Sequence, residues 1–425
     1  MNQKKLAAMR WTIWLLAALF FFYEFVIRVA PSVMVGDLMN AFAINAVGVG
    51  SLAAFYLYIY APMQIPVGML TDHYGARKLL TLAALSCGLG CLAFSIATDY
   101  WVAAFGRLLM GFGSAFAFVG LLYISSHWFP KRKLSFLIGL GNSIGMLGAV
   151  IGQGPTSLAT KLFDWRGTYL IYAIVGLAVA AIILILVRNS PPSLQNIQPL
   201  EEESPRQLKT YLLMVSKNPQ AWINATGCFL FYATTVAFAG LWGIPFLKNV
   251  HKMDEHVASF AISMIFVGWI VGGPLVGKWS DKLKRRKPFL LSFSLLAFVS
   301  LVPIIYVTQI SVFATYFLLF LVGFFSSAEI LHFTMAIEIS PCSKATAVAF
   351  TNFITMLGGA LLQPLIGFLL DTFEVGPSLD SLGKYSVATW QITMTLFPLA
   401  LLLCFGVNLF LKEPRYHKTL DSGVN

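Results

Sequence analysis

Long apolar runs separated by short polar breaks fill this chain. Twelve runs can be counted, at 11–34, 46–68, 79–98, 100–127, 134–159, 168–187, 219–247, 257–277, 289–308, 311–338, 345–370 and 386–411. An apolar helix of about 20 residues crosses a hydrocarbon core roughly 30 Å thick. Backbone in lipid is satisfied only by helices or closed barrels, and these runs are too long and continuous for barrel strands. The pattern predicts an all-α membrane protein with twelve transmembrane helices, numbered here 1 to 12 in chain order. The break at 188–209, "RNSPPSLQNIQPLEEESPRQLK", is polar, charged and carries prolines. Such a stretch reads as a linker. The expected plan is a six-helix bundle over 1–187, a linker over 188–218, a second six-helix bundle over 219–411 and a tail over 412–425.

The two bundles echo one another. "NSIGMLGAVIGQ" from Asn142 and "NFITMLGGALLQ" from Asn352 match at an offset of 210. Asn142 then pairs with Asn352, Met146 with Met356, Gly148 with Gly358 and Gln153 with Gln363, so helices 5 and 11 are equivalents. "LFDW" (162–165) meets "TFEV" (372–375) at the same offset. At 209, Gly68 meets Gly277, Asp72 meets Asp281 and Tyr23 meets Tyr232. Two parallel six-helix repeats are a transporter architecture, with the solute site between them near mid-membrane.

Composition agrees with a membrane chain: 58% of residues are hydrophobic and 11% charged, against roughly 25% charged in soluble domains. The net charge of +11 is no nucleic-acid signal, because it sorts by side. With both termini cytoplasmic, 22 Lys and Arg fall inside, 5 outside and 2 within helices, as the positive-inside rule requires. The first helix is too long for a signal-peptide core and is read as retained. Cys87, Cys91, Cys228, Cys342 and Cys404 show no metal-ligand spacing and read as buried free thiols. No cofactor or metal is implied. The expected partners are a small solute, protons and the lipid bilayer, and the expected state is a monomer in a bacterial inner membrane.

"GMLTDHYGARKLL" (68–80) follows helix 2 and "GKWSDKLKRRKPF" (277–289) follows helix 8. Both resemble the loop signature of the major facilitator superfamily. "GRLLMGFGSAF" (106–116) resembles that superfamily's Arg-bearing helix 4 motif, and "EISP" (338–341) resembles another of its loop elements. With the repeat and the linker, the resemblance covers nearly the whole chain. It implies a conformational latch of Gly68, Asp72, Gly75, Arg77, Gly277 and Asp281. In that latch, when the inside is closed, Asp72 docks near the start of helix 11, where free N–H groups carry partial positive charge, and Arg77 pairs with it. Asp281 would dock at helix 5. The copies depart from the pattern at His73, where Arg is usual, and at Lys284, where the second Gly belongs. The bland alternative is a pair of solvated turns. Glu338 is expected to meet loop arginines. Gly141, Gly145, Gly148 and Gly152 permit close helix packing, while "GQGP" (152–155) partly resembles the Gly-Pro signature of drug and proton antiporters.

The resemblance also implies a central cavity lined by helices 1, 4, 7 and 10. Those helices carry the deepest charges: Glu24, Arg28, Arg107 and Glu329, with His332 beside the last. Such groups cost at least about 2.5–3.5 kcal/mol at mid-membrane and normally face protein or a wet cavity. Arg28 lies six residues before the end of helix 1 and Arg107 six after Trp101. At about 1.5 Å per residue both sit roughly 9 Å below one boundary. Two guanidinium forks at one depth can clasp a carboxylate or phosphate. The alternatives are snorkelling for Arg28 and a structural network for Arg107. Glu24 precedes Arg28 by four, the favourable order for a helical ion pair, so it is either a neutralising partner or a proton site. Glu329 is the other candidate proton carrier, with His332 as relay or as a packed histidine. Tyr23, Tyr56, Tyr60, Tyr232, Asn142 and Asn352 are candidate solute contacts, and Gln64 shares the face of Tyr56 and Tyr60.

The leading expectation is a proton-coupled symporter of a carboxylate-bearing solute: an organic acid, amino acid or short peptide. "YEFVIRVAPSVM" loosely resembles helix 1 of anion:cation symporters, and the general plan resembles bacterial relatives of lysosomal dipeptide transporters. The alternative is a proton-driven exporter of a drug or siderophore. A membrane enzyme has no support in the sequence, which lacks HExxH, a nucleophile motif and a phosphate loop. A non-transporting receptor is the remaining possibility.

Overall fold

The computed structural model describes residues 3–190, 205–340, 343–374 and 385–413. Residues 191–204 of the linker, Pro341 and Cys342, Val375 of the repeat match and the tail beyond Glu413 lie outside the described residues. Within them the chain is helical throughout. Eleven helices are long and apolar enough to cross a membrane, and Phe136–Ile151 is a shorter apolar one, so the helices are consistent with a twelve-helix fold.

Helix 1 comprises Gln3–Val29 and a 3-10 turn, Ala30–Val33. Helix 2 is broken into Ala46–Met63 and Val67–Tyr74. The break follows Pro62 and precedes Pro66, residues that cannot donate to the helical ladder. Helix 3 is Ala76–Ser95, and helix 4 is Tyr100–Ser114 continued by Ala117–Trp128. Helix 5 starts as Leu134–Ile151 and continues past Gly154. The sequence predicts a loop between helices 5 and 6. The structure replaces it with a single residue, Asp164, at φ 56 inside the run Gly154–Leu186. The Asp164 carboxylate then accepts from Gly167 N at 2.8 Å, starting helix 6 without a longer connection.

In the second half, Pro219–Ala233, a π-helical stretch Thr234–Trp242 and Gly243–Val250 form helix 7. Helices 8 and 9 are Glu255–Leu283 and Lys287–Tyr306. Helix 10 is Val312–Ser326 and Ile330–Ile339, joined by a 3-10 turn at Ser327–Glu329. Helix 11 is Lys344–Phe373, and helix 12 is Val387–Met394 and Leu396–Phe410. Side-chain caps start several of these helices. Asn45 accepts from Gly48 N, Asp99 from Trp101 N, Ser311 from Ala314 N and Ser386 from Thr389 N. Each cap satisfies a donor that the first turn leaves orphaned.

The repeat reappears as packing. Helix 1 lies on helix 5 and helix 2 on helix 4, while helix 7 lies on helix 11 and helix 8 on helix 10. The halves meet along two repeat-related seams, helix 2 against 11 and helix 5 against 8. Near the start of helix 2 the seam is backbone to backbone. A methyl placed on Gly50 falls 2.4 Å from the Gln363 carbonyl oxygen, and one on Gly367 falls 2.3 Å from that of Ala46. Gly154 N donates to Ser263 Oγ at 3.3 Å on the other seam. The face with these contacts is called the distal face, and the face bearing the 2–3 and 8–9 loops the linker face. Leu162, Ile185, Phe313 and Phe410 are exposed, as lipid-facing side chains require.

Candidate functional site

A cavity sits where the two halves meet. Phe25, Arg28 and Val29 of helix 1, Ala53, Tyr56 and Leu57 of helix 2, and Arg107 of helix 4 form one wall. Tyr232, Thr235, Val236, Gly240, Phe266 and Gln363 form the other. Its volume is about 20 Å³, room for roughly one water.

Arg28 is the centre of the first wall. Its guanidinium donates to Glu24 one turn earlier, and its Nε donates to Tyr56 Oη at 3.3 Å. Tyr56 in turn donates to Glu24 Oε1 at 2.7 Å. The Arg28 guanidinium lies 4.6 Å from the ring centroids of both Phe25 and Tyr60. Aromatic faces attract such a cation. Glu24 is fully buried, whereas the Arg28 side chain keeps 10% exposure toward the cavity. The second carboxylate oxygen of Glu24 has no hydrogen-bond partner.

Arg107 is placed differently from the expected clasp. Its Nη1 donates to Ile27 O at 3.0 Å and its Nη2 to Ala53 O at 3.3 Å. The guanidinium stacks over Tyr56 at 4.8 Å and is almost wholly buried. Both forks are taken by backbone carbonyls of helices 1 and 2, so Arg28 and Arg107 do not face the cavity as matching donors.

The repeat-related tyrosines also part company. Tyr232 lines the cavity, edge-on to Trp269. Tyr23 is buried inside the first half, donating to Tyr172 O at 2.8 Å with Cys91 Sγ at 3.4 Å. The cavity-facing triplets are Phe25, Arg28, Val29 and Tyr232, Thr235, Val236, an offset of 207 where the sequence match runs at 209. Two residues turn a helix face by about 200°, which is why Tyr23 points away from the cavity.

Glu329 and His332 occupy a separate polar core between helices 7, 10 and 12. Cys228 Sγ donates to Glu329 Oε1 at 3.0 Å. His332 Nδ1 meets Asn224 Oδ1 at 2.9 Å, the arrangement of a packed histidine and not of a relay to Glu329. No ion pair joins Glu329 to a cation among the described residues. Asn352 donates to Gln64 Oε1 at 2.8 Å, bridging the halves on the linker side of the cavity. Asn142 is half-buried on helix 5 and does not line the cavity. Cys87, Cys91, Cys228 and Cys404 are buried free thiols.

At the linker face Asp72 is exposed at the end of helix 2. Gly75 follows at φ 77, a left-handed value suited to glycine, and Arg77 Nη2 donates to Leu184 O at 2.6 Å. Arg77 thus caps the end of helix 6, where a cation suits the exposed carbonyls. Asp281 accepts from Arg286 Nη1 at 2.6 Å in its own loop. Arg286 also lies 3.6 Å from Glu338, the expected loop pairing. Gly68 and Gly277 face open space. On the distal face a recess of about 480 Å³ opens between the ends of helices 1 and 7, rimmed by Asp37, Lys248, Lys252 and Glu255.

Sequence reasoning did not assign Thr235 or Gln363 to the cavity. Gln363 was visible only as the repeat mate of Gln153. Both glutamines donate to helix 7: Gln153 Nε2 to Ala239 O at 2.5 Å and Gln363 Nε2 to Val236 O at 3.0 Å. A π-helical stretch shifts the ladder from i→i+4 to i→i+5, and such bulges recur at functional sites. Side chains from helices 5 and 11 therefore hold the carbonyls of the irregular segment.

The family model described as Major Facilitator Superfamily matches residues 13–247 and 225–424. The chain is 23% identical to the membrane sensor protein UhpC of Escherichia coli over 85% of each chain. It is 21% identical to the probable sulfoacetate transporter SauU of Cupriavidus necator, over 63% of this chain and 64% of that one. It is 23% identical to sialin of Ovis aries, over 77% of this chain and 63% of that one. The chain thus spans a little under two thirds of these last two. A bacterial homolog to the human lysosomal transporter Spinster, in an inward-facing and occupied conformation, superposes with a TM-score of 0.76 at 17% identity over 95% of this chain and 96% of that one. The twelve-helix plan, the paired seams and the family match agree: the chain belongs to the Major Facilitator Superfamily and is a multi-pass membrane protein.

Proposed function

We propose that the chain is a proton-coupled symporter that imports a small carboxylate-bearing solute, with Arg28 as the solute's cation. The observation that carries this reading is the position of Arg28: it lines the cavity with its side chain 10% exposed while its counterion, Glu24, is wholly buried behind it, and the other lining charge, Arg107, has both Nη groups on backbone carbonyls. A solute carboxylate arriving at Arg28 competes with Glu24 for one guanidinium. Two anions beside one cation in a low-dielectric site repel. A proton on Glu24 removes that repulsion, so solute and proton bind best together. Tyr56 holds the carboxyl in place through either protonation state, because a phenol both donates and accepts. Glu329, whose described partner is a thiol, is the second proton site.

Alternating access follows from the seams. With the linker face cytoplasmic, as the positive-inside count places it, the distal seam contacts close the outside. Asp72 and Asp281 lie at the linker face, where each would dock when the inside closes, with Gly68 and Gly277 offering the bare backbone for it. The protein acts as a monomer in the inner membrane, both termini cytoplasmic. Oriented vesicles test the reading. An inward proton gradient should accelerate uptake of the carboxylate that stabilises the purified protein. Efflux driven by the same gradient would instead establish the exporter.

A further inference from the structure

The second wall of the cavity carries two polar groups with fixed roles. Gln363 is 6% exposed, and its amide nitrogen is committed to Val236 O. Turning the amide round would set its oxygen against that carbonyl oxygen, so the nitrogen end is locked. Trp242 Nε1 also donates to Gln363 O at 3.0 Å, tying the residue's backbone to helix 7. The amide oxygen Oε1 is left buried with no partner. A buried acceptor without a donor costs about 1–3 kcal/mol, which a bound donor would recover. Beside it, Thr235 Oγ1 accepts from Trp269 Nε1 at 3.1 Å. With that lone pair occupied, the threonine hydroxyl proton remains to be given away. Alongside Tyr232, Gln363 and Thr235 thus bring one acceptor and one donor to this wall, opposite the guanidinium of Arg28.

A hydroxyl group is the simple function that meets both. It donates to Gln363 Oε1 and accepts from Thr235. An ammonium could donate but not accept, and it would stand across the cavity from the Arg28 charge. We propose that Gln363 and Thr235 are specificity residues that read a hydroxyl on the solute whose carboxylate Arg28 holds, making the substrate a hydroxylated carboxylate. This rests on the assignment of Arg28 as the carboxylate site. Sites built to hydrogen-bond a hydroxyl discriminate strongly against the analogue that lacks it, because their own polar groups are then left unpaired.

The test uses the detergent-purified full chain and matched probes: glycolate with acetate, lactate with propionate, and gluconate with hexanoate, plus sorbitol. Affinities are read from concentration-dependent thermal stabilisation. At least one hydroxy acid should bind tenfold or more tightly than its deoxy partner, and sorbitol should not bind. Gln363→Leu should reduce that preference to under threefold. Thr235→Val should act in the same direction and Thr235→Ser should retain the preference, which separates lost recognition from lost folding. If no pair shows a tenfold preference, the hydroxyl reading fails while carboxylate binding can stand. If sorbitol binds as well as gluconate, Arg28 is not the carboxylate site and both readings fail.

Discussion

Arg28 donates to the carboxylate of Glu24 from one helical turn further along helix 1, and Tyr56 donates to the same oxygen from helix 2. This arrangement makes the ion pair part of the cavity wall and not only a device for burying two charges. Glu24→Gln keeps the shape and removes the titrating group. In reconstituted vesicles it should lose proton-driven uptake to background while solute–solute exchange persists. Retained proton-driven accumulation would remove Glu24 from the coupling step.

The reverse substitution separates binding from stability. Arg28→Ala strands a buried carboxylate, and breaking a buried pair on one side costs about 3–5 kcal/mol. The double variant Glu24→Gln with Arg28→Met should recover most of that loss, because neither charge is left alone. It should still fail to bind the carboxylate. Thermal unfolding of the three proteins checks the first point and ligand stabilisation the second. A double variant that binds normally would exclude Arg28 as the solute's cation.

Much of this site could be read from the chain alone, and the remainder could not for identifiable reasons. Apolar run length gave the spans, and a charge inside such a run must face protein or water, so Glu24, Arg28, Arg107 and Glu329 stood out. The direction each one faces was less accessible. Arg107 sits at the depth of Arg28, yet its forks serve the Ile27 and Ala53 carbonyls. Sequence depth says nothing about such backbone partners. Tyr23 and Tyr232 match in sequence but lie on opposite sides of their helices relative to the cavity. Tyr232 sits just before the π-helical stretch, which has no composition signature. Thr235 and Gln363 gain their meaning from what they are already bonded to, and only coordinates supply that.

Close packing of repeat-related helices gives a prediction that does not depend on the solute. A methyl on Gly111 falls 2.0 Å from Tyr56 O, and one on Gly323 falls 1.9 Å from Ile265 O. These are the helix 4–helix 2 and helix 10–helix 8 crossings, equivalent in the two halves. The obstacle is backbone, so no side-chain rotation relieves it. Either Gly→Ala change should destabilise by about 1–3 kcal/mol, seen as a lower midpoint of thermal unfolding. Gly273→Ala, which meets nothing within 4 Å, should leave the midpoint unchanged. Equal midpoints for all three would mean the helices do not cross so closely.

The distal seam carries its own latch. Asp371 of helix 11 accepts from Val47 N at the start of helix 2, across the two halves, at 3.1 Å. Tyr385 donates to the other oxygen of the same carboxylate. A carboxylate at a helix N-terminus is worth roughly 0.3–1 kcal/mol where exposed and up to about 2 where partly buried. Asp371→Ala removes it, and the balance between the two facing states should move toward the state open at the distal face. By the same arithmetic, 1.4 kcal/mol is a tenfold change in that balance. A cysteine placed at Gly240, in the cavity wall, should then react several-fold faster with a membrane-impermeant maleimide added on the distal side. Tyr385→Phe, which leaves the Val47 contact in place, should give a smaller increase. Unchanged labelling in Asp371→Ala would show that the glycine-lined seam alone holds the distal face shut.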